Sequence, residues 1–236
     1  MIQISHRALS VLAAALVLFG GAVSCKPTPE KVCDHEVEVS PAIAARDCTE
    51  RVTDLQKRSP ALFDSYAACS KDAKNMASLA TCVSDVDRQL AAQVSVALTG
   101  SSVSVNGTAI SASPTVADFE RVLGKGYSKV EGDETHNTRY HWEAYGLQVS
   151  TPMGKDSASS LQVWFQPPQG TAFSGKLTVE GKPVEKSATA TTLKAIPGVK
   201  DAAIAGASAF DVRGISTYFL PGKGDGFSFV DVRFVK

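Results

Sequence analysis

Five cysteines carry the clearest chemistry in this 236-residue chain: Cys25, Cys33, Cys48, Cys69 and Cys82. An odd number cannot pair completely, so one thiol must have another fate. Cys33, Cys48, Cys69 and Cys82 lie within 50 consecutive residues, separated by 14, 20 and 12 others. A four-thiolate zinc site wants close pairs such as C-x2-C, and these gaps offer none. In an exported chain the four read as two disulfides.

Other clusters carry less. Asp133, Glu134, His136 and His141 form the densest set of potential metal ligands. On a strand, His136 and His141 are an odd number of residues apart and point to opposite faces, which defeats shared ligation. Gly222-Lys-Gly-Asp-Gly226 lacks the Ser or Thr that a phosphate loop places after its Lys, and it joins two strand-like runs, so it reads as a hairpin. No G-x-S-x-G nucleophile signature is present. No catalytic residue, metal ligand or cofactor is therefore assigned from sequence. The aromatic residues point instead to binding. Leu161, Val163 and Phe165 alternate with Gln162, Trp164 and Gln166, so burial of the first set turns the second outward. Trp164, with Gln162 and Gln166, is the candidate binding surface, since an exposed Trp on a sheet suits a protein-binding anchor.

The elements that must hold these residues start with an export segment. His6 and Arg7 precede an apolar stretch of 14 residues, Ala8 to Gly21, too short to span a bilayer but suited to a signal peptide. Ala22-Val-Ser-Cys25 resembles a bacterial lipobox, with Ala22 where Leu is more usual. The resemblance implies cleavage after residue 24, acylation of Cys25 and membrane anchoring by two or three chains at about 0.8 kcal/mol per buried CH2. Lys26 after that Cys, rather than Asp, favours the outer membrane, on its periplasmic or its cell-surface side. The 24 basic and 24 acidic residues balance, and loss of Arg7 barely changes that. A nucleic-acid partner, which needs a basic stripe, is excluded.

Residues 25–95 read as a four-Cys helical domain. Ser40-Pro41 and Ser59-Pro60 suit an N-cap followed by Pro in the first turn, and apolar residues recur at three and four. A single turn near Arg58-Ser59 would set Cys48 and Cys69 at equal distances from it. That favours Cys48–Cys69 nested inside Cys33–Cys82, with sequential pairing as the rival. Four-Cys helical segments behind a lipobox are similar to those of several bacterial lipoprotein families of unknown function.

The remainder reads as two copies of one unit, residues 101–168 and 175–236. Val105-Asn-Gly107 falls on Val179-Glu-Gly181, Phe119 on Leu193, Gly124 on Gly198, Gly146 on Gly214, and Leu161, Val163 and Phe165 on Val230, Val232 and Phe234. Each copy plans a strand, a short capped helix stopped by Gly, and then strands, giving β-α-β-β-β with a helix on one face of an antiparallel sheet. The T-x3-F-x3-LG helix followed by Y-x-W resembles the lipoprotein subunit of outer-membrane β-barrel assembly and the tandem-repeat β-lactamase inhibitor proteins. A lipoprotein domain of unknown function with an N-G…LG…Y-x-W-x3-G-L pattern is similar in texture, and it implies no known activity. The expected fold class is α+β: a disulfide-braced helical domain, then a tandem α+β domain. The expected function is a non-catalytic, membrane-anchored binding or scaffolding module with an envelope protein partner. The runner-up is an envelope hydrolase or metal-dependent enzyme whose site only the fold assembles.

Overall fold

The computed structural model describes residues 26–43, 45–204, 206–213, 215–223 and 226–234. Cys25 and the export segment before it lie outside the described residues, as do Gly214 and Asp225. No helix among the described residues is long and apolar enough to cross a membrane. The fold is α+β, a helical region followed by a sheet-rich one.

Four helices open the chain: α1 (Pro29–Val39), α2 (Ala45–Arg58), α3 (Pro60–Asp72) and α4 (Met76–Gln93). Pro29 and Pro60 occupy first turns, where the missing N–H costs nothing. Asn75 and Ser78 cap α4 reciprocally. The expected helix start at Ser40-Pro41 is corrected. Ser40 ends α1, its N–H donating to the Glu36 carbonyl at 2.8 Å. The residue before a proline is pushed out of helical conformation, so the same dipeptide that can open a helix here closes one.

That correction overturns the nested pairing. The bridges are sequential, Cys33–Cys48 and Cys69–Cys82, with Cα atoms 5.7 and 5.8 Å apart. The chain turns not once but three times, so the bridges staple the α1–α2 hairpin and the α3–α4 hairpin separately. Each closes a loop of similar length (sequence separations 15 and 13), which stabilises the folded chain by about 3 kcal/mol through lost unfolded-state entropy. Cys33, Cys48 and Cys82 are buried and Cys69 is exposed.

The first strand, β1 (Ser95–Thr99), was not foreseen, although Val96 and Leu98 alternate with smaller residues in the manner of a half-buried strand. It lies at the centre of a five-stranded sheet. With β2 (Ser102–Val105), β3 (Thr108–Ile110), β8 (Lys176–Val179) and β9 (Lys182–Pro183), the order is β3-β2-β1-β8-β9. β1 runs antiparallel to β2 and parallel to β8. Helices α5 (Val116–Leu123) and α6 (Ala190–Lys194) follow the two hairpins of this sheet. The remaining strands build a second, eight-stranded sheet. They are β4 (Ser128–Val130), β5 (Thr138–Trp142), β6 (Leu147–Thr151) and β7 (Ser160–Trp164), then β10 (Lys200–Asp201), β11 (Ser208–Val212), β12 (Ile215–Pro221) and β13 (Phe227–Arg233). Their order is β10-β11-β12-β13-β7-β6-β5-β4, antiparallel throughout. The plan of one sheet per unit is therefore corrected: each opening hairpin leaves for the smaller sheet, where β1 lies between them.

Both short helices lead to a glycine at positive φ, Gly124 at 79° and Gly198 at 84°. A side chain at Gly124 would strain that conformation and meet the Asp54 carboxylate at 2.9 Å. Each glycine also abuts an aromatic of the larger sheet. Trp142 Nε1–H donates to the Gly124 carbonyl at 2.8 Å, and a Cβ on Gly198 would sit 3.0 Å from the Phe210 ring. Arg58 on α2 reaches the same corner. It pairs with Asp54 at 2.8 Å and donates to the Leu123 carbonyl at 3.0 Å and to Tyr145 Oη at 2.6 Å. Helical and sheet regions thus share one continuous buried core.

Candidate functional site

Alternation assigns the two faces of the eight-stranded sheet. Tyr140, Trp142, Leu147, Val149, Leu161, Val163, Val230 and Val232 are buried on the inner face. The residues between them face outward, and the strand registers bring them into rows. One row runs Tyr218, Asp231, Gln162, Gln148, His141, Ser128 across six strands. The next runs Ser216, Arg233, Ser160, Ser150, Arg139, Val130.

The central row is hydrogen-bonded with a fixed polarity. The Asp231 carboxylate, its side chain only 6% exposed, accepts from Arg233 Nε at 2.7 Å and from Gln162 Nε2 at 3.3 Å. An ionised carboxylate only accepts, so Gln162 must turn its amide N toward Asp231 and its carbonyl toward Gln148. Gln148 Nε2 then donates to Gln162 Oε1 at 3.0 Å and to Ser150 Oγ at 3.2 Å. Both amide hydrogens of Gln148 are used, and its Oε1 is the acceptor left over among the described residues. Arg233 also lies over the Tyr218 ring, 4.9 Å from its centroid.

Trp164 stands one step along β7 from this row, stacked on Phe229 with centroids 4.4 Å apart and planes 30° from parallel. Both rings are half-buried. The loop after Trp164 leaves and returns to it: Phe173 N–H donates to the Trp164 carbonyl at 2.6 Å, and Trp164 N–H to the Gly146 carbonyl at 2.9 Å. Gly146, at φ 65°, permits this closure, because a Cβ there would lie 2.3 Å from Phe173 N. Trp164, Pro167, Pro168, Gln148, Arg139 and His141 line a cavity of about 520 Å³ between this loop and the sheet. Among the described residues Arg139 has no ion pair. Burial, and then the charge of Arg139, hold the His141 pKa below its ordinary value, which favours the neutral ring.

Trp164 and Gln162 share the outer face, but Gln166 leaves it. β7 ends at Trp164, alternation stops there, and Gln166 accepts from Lys223 N–H at 2.9 Å instead. Sequence reasoning missed Arg139 and Gln148 and weighed His141 only as a metal ligand, although alternation from Thr138 to Trp142 sets Arg139 and His141 on the face opposite Trp142. His136 sits apart in the β4–β5 turn, its Nδ1 2.8 Å from Asp133 Oδ1.

A second concavity, a groove of about 830 Å³, is lined by Ile43, Leu79, Val83 and Ala91 with Glu36 and Arg51. Glu36 is fully buried. Its Oε2 accepts from Arg51 Nη2 and its Oε1 from Tyr66 Oη, each at 2.6 Å. The sulfurs of Cys33 and Cys48 lie within 4.8 Å of this carboxylate. They are bonded to each other, so the group is a disulfide against a carboxylate and not a metal centre. Burial, reinforced by the hydrogen bond to Glu36, pushes the Tyr66 hydroxyl up beyond the ordinary tyrosine range. A hydrogen bond to Glu120, with burial, pushes Tyr127 up to about 12. In each case the folded chain keeps a proton that the unfolded chain releases near pH 10. Stability should therefore be fully present below about pH 10 and fall as pH rises toward 12. Urea midpoints measured from pH 8 to 12 should show the decline, and Tyr127→Phe should reduce it.

Residues 95–194 match the family model of a domain of unknown function, DUF7738. No curated protein and no solved structure matches the chain.

Proposed function

We propose that this protein is an exported, lipid-anchored component of the bacterial outer membrane. In this reading it is a non-catalytic binding module that presents the outer face of its larger sheet to another envelope molecule. The anchor rests on Ala22-Val-Ser-Cys25 and the apolar stretch before it. A duplicated origin for the sheet region is part of the reading. It is supported by the strand order, in which β4 to β7 and β10 to β13 enter from opposite edges and meet at β7 and β13.

The observation that carries the binding role is the Trp164–Phe229 platform beside a polar row whose hydrogen bonds are already made. Side chains locked before a ligand arrives lose little entropy on binding it, which is what a recognition surface requires. The test has two parts. Cys25→Ser should move the protein from the detergent phase to the aqueous phase on phase partitioning, and retention in detergent would remove the anchor. Immobilised wild-type protein should hold a reproducible component of solubilised envelopes that Trp164→Ala does not hold. If both retain the same set, the face is not the binding surface.

A further inference from the structure

We propose that the cavity beside Trp164 is a saccharide-binding site, taking a pyranose ring against the indole. The inference rests on the binding-face reading and names its ligand class.

Three features of the cavity select a polyol over a polypeptide. First, its one aromatic platform is the Trp164 indole, which packs on Phe229 outside the cavity and is flanked within it by Pro167 and Pro168. The C–H-bearing face of a sugar ring is flat and apolar, and it packs on an aromatic face as other apolar groups do. A protein partner would instead want clustered apolar anchors with few charges. Second, the polar groups around the platform mix donors and acceptors as neighbouring sugar hydroxyls do. Arg139 supplies up to five N–H donors and has no ion pair among the described residues. His141, in its neutral form, supplies one donor and one acceptor, and Gln148 Oε1 is the unused acceptor at the end of the hydrogen-bonded row. Glu143, which already accepts from Ser128 Oγ at 2.7 Å, supplies a further acceptor. Third, the row is polarised from its buried carboxylate: Asp231 fixes Gln162, and Gln162 fixes Gln148. The acceptor offered to the ligand is therefore set in advance, and a hydroxyl can donate to it without any side chain reorienting. The volume, about 520 Å³, lies within the range of small-molecule sites. The sheet edges do not suit strand addition by a peptide, because β4 and β10 have only three and two residues.

The test uses the detergent-solubilised full-length mature protein and three probes: cellohexaose, chitohexaose and a galacturonate hexamer. Binding is read by calorimetry and by the indole N–H resonance of Trp164 in nitrogen-15 spectra, with buried Trp142 as the internal reference. At least one probe should bind, shift the Trp164 signal and leave that of Trp142 in place. Trp164→Ala should weaken it by about 10-fold or more, Trp164→Phe should restore part of the affinity, and Arg139→Ala should weaken it while the thermal midpoint stays unchanged. The proposal is overturned if none of the three binds at about 5 mM, or if Trp164→Ala binds as the wild type does. If the sugars fail while Trp164-dependent capture of an envelope component persists, the saccharide class falls and the binding face stands. If both fail, the face itself is excluded.

Discussion

Trp142→Ala should cost about 3–5 kcal/mol of stability and lower the thermal midpoint by roughly 8–16 °C. The ring is fully buried and packs on Tyr127 with centroids 4.9 Å apart. Truncation removes that apolar area and leaves a cavity at the corner where α2, α5 and the larger sheet meet. It also strands the Gly124 carbonyl, which accepts the indole N–H at 2.8 Å. The Leu123 carbonyl is held by Arg58 and the Val122 carbonyl by Asn106, so the end of α5 would lose one of three side-chain clamps. Trp142→Phe separates the two contributions. It keeps most of the volume and loses the hydrogen bond, and it should cost about 1–2 kcal/mol. Trp164→Ala is the control, since its half-buried ring closes no core and the loss should stay near 1 kcal/mol. Urea unfolding of the three variants measures all of this. A Trp142→Ala loss under about 1.5 kcal/mol would mean that the corner does not close as described.

What the sequence revealed and what it hid follow from the range of the interactions. The α5 cap at Thr115, the positive-φ glycine that ends α5 and the strands around Trp142 and Trp164 were legible, because capping and alternation are local. Ser59-Pro60 was legible for the same reason. Ser40-Pro41 misled because a Ser-Pro pair fits the end of one helix as well as the start of the next, and only Glu36 accepting from the Ser40 N–H decides between them. That single boundary fixed the number of turns, and the number of turns fixed the disulfides. The place of β1 between two hairpins depends on a parallel pairing with β8 some 80 residues later, for which no local signal exists. On the candidate face, Trp164 and Gln162 were readable from alternation within one strand. The polarity of the row was not, because it originates at Asp231, 69 residues from Gln162 in sequence. Gln166 was misplaced because alternation was carried past the last residue of β7.

Glu36→Ala should cost about 2–4 kcal/mol, whereas replacing the whole cluster by apolar residues should cost far less. Glu36, Arg51 and Tyr66 come from α1, α2 and α3, so one carboxylate touches three helices. Glu36 is 0% exposed, and each of its oxygens accepts one bond at 2.6 Å. Deleting it leaves the buried Tyr66 hydroxyl without its acceptor and Arg51 without its counter-charge. The Arg51 side chain is 43% exposed, so water can rehydrate part of that guanidinium, which holds the loss below that of a fully enclosed pair. Glu36→Gln should fall between Ala and wild type, since the amide oxygen can still accept from Arg51 and the amide N–H can donate to Tyr66 Oη, but the counter-charge to Arg51 is lost. Glu36→Leu with Arg51→Met and Tyr66→Phe removes all three polar groups together and needs no desolvated charge. It should unfold within about 1 kcal/mol of the wild type. The ranking distinguishes two roles for the cluster. If the triple variant matches the wild type while its helices lose dispersion in amide spectra, the ion pair sets the register of α1 to α3 rather than their stability. If Glu36→Ala unfolds within about 0.5 kcal/mol of the wild type, the carboxylate is hydrated in solution and the cluster does not brace the bundle.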